Sequence, residues 1–123
     1  MNVAVLGASA KPERYSYKAV TQLKAAGHTV FPVHPALTEL QGLPVTPTLN
    51  EIDAPLDVVT VYLSPKHTDA VREDLLATRP ARVIFNPGAE NPGLAEDLRT
   101  HDIAVQEACT LVLLATGQFE ATP

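Results

Sequence analysis

Short, β-prone apolar runs alternate along this chain with segments of helical periodicity, and that alternation restricts its fold more than any other feature. Residues 3–6, 29–33, 57–63, 82–85 and 103–105 read as strands, with 57–63 the clearest. They are mostly apolar without a polar alternation, as strands buried on both faces are. Between them, Tyr17, Val20, Leu23 and Ala26 recur at helical spacing, and Gly27 is placed to stop that helix. Ser64 and Pro65 supply an N-cap and a first-turn proline for a helix reaching about residue 78, and Asn91 and Pro92 repeat the device ahead of Leu94 and Leu98. Thr48 and Glu51 have the spacing of a capping box and predict a short helix. A terminal helix is expected within 109–115. Residues 43–45 predict a short strand, whose Pro44 suits a sheet edge.

Strands separated in this way by amphipathic helices predict an α/β, Rossmann-like, doubly wound and mainly parallel sheet of five or six strands, with helices on both faces. With 43–45 at the edge, the expected strand order is 3-2-1-4-5, the last short strand making a sixth. The order then reverses between the strand ending at Gly7 and the strand ending at Leu63. Ligands of open α/β sheets bind beyond the carboxyl ends of the strands at such a point. The loops at 7–16, 34–35, 64–65 and 86–91 are therefore where function is sought.

A length of 123 residues fits one domain, 1–123, with a core of its own. The formal charge of −5 and an aromatic content of 5% argue against nucleic-acid binding. Cys109, the single cysteine, excludes an internal disulfide framework and a cysteine-based zinc site. The apolar start stops at Gly7 without a basic flank, and the run at 111–115 is too short to span a bilayer. A cytoplasmic address away from membranes is the expectation. No H-x-E, H-E-x-x-H or clustered carboxylate pattern points to a metal.

The first strand runs into Gly7, Ala8 and Ser9 and then into a helix. Gly7 permits a tight turn, Ala8 and Ser9 are small enough to let a ligand approach their N–H groups, and a helix N-terminus suits a phosphate. Lys11, Arg14 and Lys18 place three of the nine basic residues within eight positions of an acidic chain, and Ser9 and Ser16 add hydroxyls. A plain turn with solvated charges is the alternative to phosphate binding; the basic cluster favours the phosphate. The dinucleotide fingerprint is not met, because Ser9 and Pro12 stand at its second and third glycine positions. The second strand ends at His34 and Pro35, without the acidic residue that would hold the ribose of NAD. A G-K-[ST] sequence is also missing, so a P-loop is excluded. That acidic gap leaves room for an additional ribose phosphate, as in coenzyme A (CoA) or NADP.

These residues resemble the small CoA-binding proteins with a Rossmann-like fold, and the fold is similar to the N-terminal domain of the succinate–CoA ligase α subunit. The resemblance rests on residues 5–9, on Arg14, Tyr15, Ser16 and Tyr17, on 32–35, on 42–45, on Asp57 to Val59 and on the late Cys109, and it runs to about Phe119. It implies that Gly7, Ala8 and Ser9 cradle the CoA phosphates with Ser16 capping the helix there. It implies that Lys11 and Arg14, beside Tyr15, neutralise phosphate charge, the 3′-phosphate among it. His34 and Pro35 would border the adenosine, Ser64 and Pro65 the switch point, and the loop carrying Asn86 and Gly88 the pantetheine arm. The chain departs from the family at His34, where Asn is common, and in the loop at 86–90.

CoA or an acyl-CoA is thus the expected small-molecule partner, held without a chemical step. The ligases take their phosphorylated histidine from a second domain, and His28, His34, His67 and His101 are scattered here. Of these only His34 falls at the expected ligand edge, in a structural or stacking role. Cys109 reads either as a small buried hydrophobe or as a thiol near the thiol of CoA, and Glu90 as a solvated loop carboxylate or an acid/base. An NADP-binding sensor and an accessory subunit of an acyl-CoA ligase are the alternative functions. Leu111 to Leu114 either close the core or feed a dimer interface, so a monomer, a homodimer and a protein partner all remain open.

Overall fold

A computed structural model describes residues 1–121; the last two positions of the expected 1–123 domain lie outside the described residues. Strands β1 (Asn2–Leu6), β2 (Thr29–Val33), β5 (Val58–Val61), β6 (Arg82–Phe85) and β7 (Ala104–Glu107) form one sheet in the order β2-β1-β5-β6-β7. Every pairing in it is parallel, Leu6 lying between Val33 and Val61. The Rossmann-like α/β architecture is therefore as expected, and the order reverses between β1 and β5.

Successive residues of a strand point to opposite faces, and here both faces are covered. Val3, Val5, Val58 and Ile84 pack against Ala19, Val20 and Leu23 of α1 (Tyr15–Ala25) and Leu113 of α5 (Thr110–Ala115). Ala4, Leu6, Val59, Val61, Val83 and Phe85 pack on the other side. Their partners are Leu49 of a single 3-10 turn (Leu49–Glu51), Leu75 of α3 (Arg72–Thr78), and Leu94 and Leu98 of α4 (Pro92–Thr100). This double burial explains why the strands read as unbroken apolar runs.

Two elements differ from expectation. Residues 43–45 do not form the third strand of the main sheet. β3 (Glu39–Leu40) and β4 (Leu43–Pro44) make their own antiparallel pair instead, turned by Gln41 and Gly42, both at positive φ. Only the following residue reaches the sheet: Thr46 donates to the Pro32 carbonyl and accepts from His34 N–H. Two-residue strands bridged by left-handed residues satisfy their backbone locally, which leaves nothing to extend the sheet. The helix expected over 64–78 is two helices, α2 (Pro65–Ala70) and α3, parted at Val71 (φ −111°, ψ 15°). Thr68 Oγ1 donates to the Ser64 carbonyl at 3.0 Å, a back-bond that bends helices.

Asn91 caps α4 as expected, its Oδ1 accepting from Leu94 N–H. Ser64 precedes α2 in extended conformation, but its hydroxyl pairs with His67 Nδ1 at 2.8 Å instead of a backbone N–H. Thr48 likewise bonds the Glu51 carboxylate, not the backbone. Among the described residues no helix is long and apolar enough to cross a membrane.

Candidate functional site

At the carboxyl ends of the strands three cavities adjoin one another. The middle one, about 420 Å³, lies over the end of β1 and is lined by Gly7, Ser9, Lys11, Arg14, Tyr15 and Ser16, with Tyr62 and Pro87 on its far wall. Gly7 also lines a second cavity of about 270 Å³, walled almost wholly by carbon from Val33, Pro35, Leu49, Leu63 and Val71. Tyr15, Tyr62 and Pro87 also line a third, about 420 Å³, that continues past Asn86 and Cys109 to Leu111 and Val112. One wall residue on one side and three on the other thus join an apolar pocket, a cationic bowl and an apolar cleft in sequence.

The bowl exists because β1 ends in a conformation open to glycine. Gly7 has φ +90°, and a Cβ there would stand 2.9 Å from Leu63 Cδ2. Lys11 N–H then donates to Ser9 Oγ (3.1 Å) and Arg14 N–H to the Lys11 carbonyl (3.0 Å), which wraps the loop before α1. α1 opens without a side-chain cap at Arg14, so the first-turn N–H groups of Tyr15, Ser16 and Tyr17 have no helical acceptor. Ser16 therefore does not cap the helix, as the family resemblance implied; it sits inside the first turn, nearly buried. Lys11 and Arg14 are exposed, and among the described residues neither makes an ion pair.

Not every expected residue offers what was expected of it. Ala8 is 3% exposed and its N–H already donates to the Val33 carbonyl at 3.2 Å, tying β1 to β2 beneath the bowl. His34 lies outside the three cavities. Its Nδ1 accepts from Ala36 and Leu37 N–H, both at 3.0 Å, so the ring holds the turn that presents Pro35. Ser64 and Pro65 line none of the cavities either; Ser64 holds His67, which does line the apolar pocket. Gly88 N–H is taken by Glu90 Oε1 at 2.8 Å, and Pro87, not Gly88, faces the cleft.

Asn86 is 2% exposed at the cleft floor, and its side chain is spent on structure. Nδ2 donates to Thr60 Oγ1 (2.7 Å) and the Val61 carbonyl (2.9 Å), while Oδ1 accepts from Thr110 N–H (2.9 Å). Thr60 and Thr110 share a 2.7 Å hydroxyl bond. Tyr62, within the expected strand 57–63, lies just past β5 at the switch point and lines both bowl and cleft. Its hydroxyl is buried near those threonines but makes no well-aligned bond. Burial pushes the phenol up to about 12, against smaller opposing contributions from Thr110 and Thr60. The unfolded chain loses this proton near pH 10 and the folded chain keeps it. Stability should therefore be intact below about pH 10 and fall by about 2–3 kcal/mol as pH climbs to about 12. Urea unfolding across that range measures the decline; a Tyr62→Phe variant should show a shallower one, and an identical slope would assign it to other groups.

A parallel doubly wound sheet with a glycine turn at its switch point places the chain among the Rossmann-like α/β proteins. The comparisons with known proteins narrow the class. Residues 1–115 match the family described as a CoA binding domain, and the chain belongs to that family. The uncharacterized protein YneT of Bacillus subtilis (strain 168) is 34% identical over 76 residues, covering 62% of this chain but only 56% of YneT. A crystal structure of an uncharacterized protein superimposes with TM-score 0.86 at 35% identity, covering 96% of this chain and 97% of that one. The dinucleotide-forming acetyl-coenzyme A synthetase 1 of Ca. Korarchaeum cryptofilum, in complex with phosphate and ADP, shares the fold: TM-score 0.72 at 22% identity, over 87% of this chain and 25% of that one.

Proposed function

We propose that this chain binds coenzyme A across the three adjoining cavities, adenine in the apolar pocket, phosphates in the bowl and the pantetheine arm leaving between Tyr15 and Tyr62. The order of the cavities carries this reading: a flat apolar ring, a polyanion and a flexible arm follow one another in CoA as apolar pocket, cationic bowl and cleft do here. Leu49 and Val71 would sandwich the adenine with Pro35 at its edge. Lys11 and Arg14 meet the phosphates, helped by Ser9 and by the N–H groups of Tyr15 and Ser16, whose helix end favours negative charge. Binding proceeds without a chemical step in this reading, since Cys109, the thiol that lines the cleft, has no base hydrogen-bonded to it among the described residues.

Titration calorimetry with CoA tests it. Saturable one-to-one binding is expected, with a thermal shift of several degrees, since a ligand at about a hundred times its Kd adds about 2.7 kcal/mol. Dephospho-CoA should bind more weakly if the basic pair reaches the 3′-phosphate. Neither heat nor thermal shift at millimolar CoA would end the proposal.

A further inference from the structure

The cleft beyond Tyr62 has a surface that the pantetheine arm does not explain. That arm carries amides and a hydroxyl, whose burial against carbon without partners is unfavourable. Two polar side chains at the cleft floor cannot serve them: the Asn86 amide is engaged in three hydrogen bonds, and the Tyr62 hydroxyl is buried in the protein. Besides Asn86, the space is lined by Tyr15, Tyr62, Pro87, Cys109, Leu111 and Val112, a wall mostly of carbon. Of the three large hydrophobic side chains most exposed among the described residues, two stand at this cleft: Tyr15 at 68% and Val112 at 56%. Apolar side chains held open at the end of a pocket gain most from a ligand that is itself apolar.

Resting on the CoA reading above, we infer that the cleft receives the apolar acyl group of an acyl-CoA thioester. The arm enters the cleft between Tyr15 and Tyr62 with its amides toward the open side. The acyl chain runs along Leu111 and Val112, and α5 forms one wall of its channel.

Calorimetric affinities for CoA, acetyl-CoA, butyryl-CoA and hexanoyl-CoA test this. A buried methylene contributes ~0.8 kcal/mol, about fourfold in affinity, so each added methylene should tighten binding by about two- to fourfold in a partly open cleft. Val112→Asp should remove most of that increment, weakening butyryl-CoA and hexanoyl-CoA far more than CoA itself. CoA binding as tightly as butyryl-CoA or more tightly would overturn the inference while leaving CoA binding intact. So would a Val112→Asp variant that, still folded by circular dichroism, keeps the full increment. Failure of every ligand, CoA included, would instead remove the CoA reading and this inference with it.

Discussion

Replacing both Lys11 and Arg14 by alanine should weaken CoA binding by about 10- to 100-fold at low salt, with a smaller deficit as salt rises. A hydrogen bond to an ionised group contributes about 1.5–3 kcal/mol when well shielded. Both side chains here are exposed, so solvent and counter-ions reduce each contribution to the lower part of that range or below it. Two such losses give the stated span. Neither residue has an ion-pair partner among the described residues, so stability should change little and the loss should read on binding alone. Lys18 is the control. It is the third cation of the cluster, but its Nζ lies 5.4 Å from the Tyr15 ring centroid and it does not line the bowl. Lys18→Ala should therefore alter affinity by no more than about twofold, through a weak cation–π contact of about 0.5 kcal/mol. An undiminished affinity in the double variant would place the phosphates elsewhere.

The sheet was legible because its burial is symmetrical. Val3 and Val5 face α1 while Ala4 and Leu6 face α3 and α4, so none of the positions 3–6 of β1 tolerates a polar residue and the run stands out. Residues 43–45 carried a weaker signal. Their apolar character is real, since Leu43 and Val45 pack against the core beside Leu40, but a hairpin and an edge strand bury such residues alike. Only the left-handed pair Gln41 and Gly42 distinguishes them, and Gln at positive φ leaves no trace in composition. Arg82 was hidden in the same way. It opens an apolar strand yet is 5% exposed, because Phe119 and Ala121 offer carbonyls to its guanidinium and Phe119 lies under it at 5.1 Å. Those partners are more than thirty residues distant in the chain, beyond any local pattern.

The bowl could be read in advance for a local reason: glycine, small residues, helix start and cations occupy one continuous stretch, 7–16. The pocket and cleft could not. Leu49, Val71 and Val112 are ordinary hydrophobic residues in three separate segments, and only the crossover topology brings their side chains to one edge of the sheet. Tyr62 carries a positional signal instead. It is the first residue past β5, beside Leu6, whose carbonyl accepts its N–H at 2.9 Å, and side chains there must line the switch point. Asn86 has the complementary lesson. Its place at the end of β6 marked it as a ligand-binding residue, whereas three hydrogen bonds commit it to holding the sheet and α5 together.

That commitment makes Asn86→Ala the substitution with the largest expected effect on stability. It strands the buried Thr110 N–H, which has Asn86 Oδ1 as its acceptor, and removes a donor from Thr60 Oγ1. Thr60 and Thr110 keep their mutual hydroxyl bond, and the Val61 carbonyl keeps Asn86 N–H, so part of the network survives. One orphaned buried donor costs about 1–3 kcal/mol, and the cavity left by the amide adds to it. A total near 3 kcal/mol is expected by urea denaturation, a large share of a small domain's stability. Asn86→Asp separates the two functions of the amide. It retains an acceptor for Thr110 N–H, but it loses the donor to Thr60 and Val61 and buries a carboxyl group beside the Val61 carbonyl. It should be at least as destabilising as alanine near neutral pH and recover as the pH falls and the carboxyl takes up a proton to donate. Because Thr110 opens α5, loosening it also displaces Leu111 and Val112 from the cleft. Binding of a short acyl-CoA should then suffer in Asn86→Ala more than binding of CoA. Wild-type stability in both variants would show that the amide is dispensable and that α5 is held by its apolar face alone.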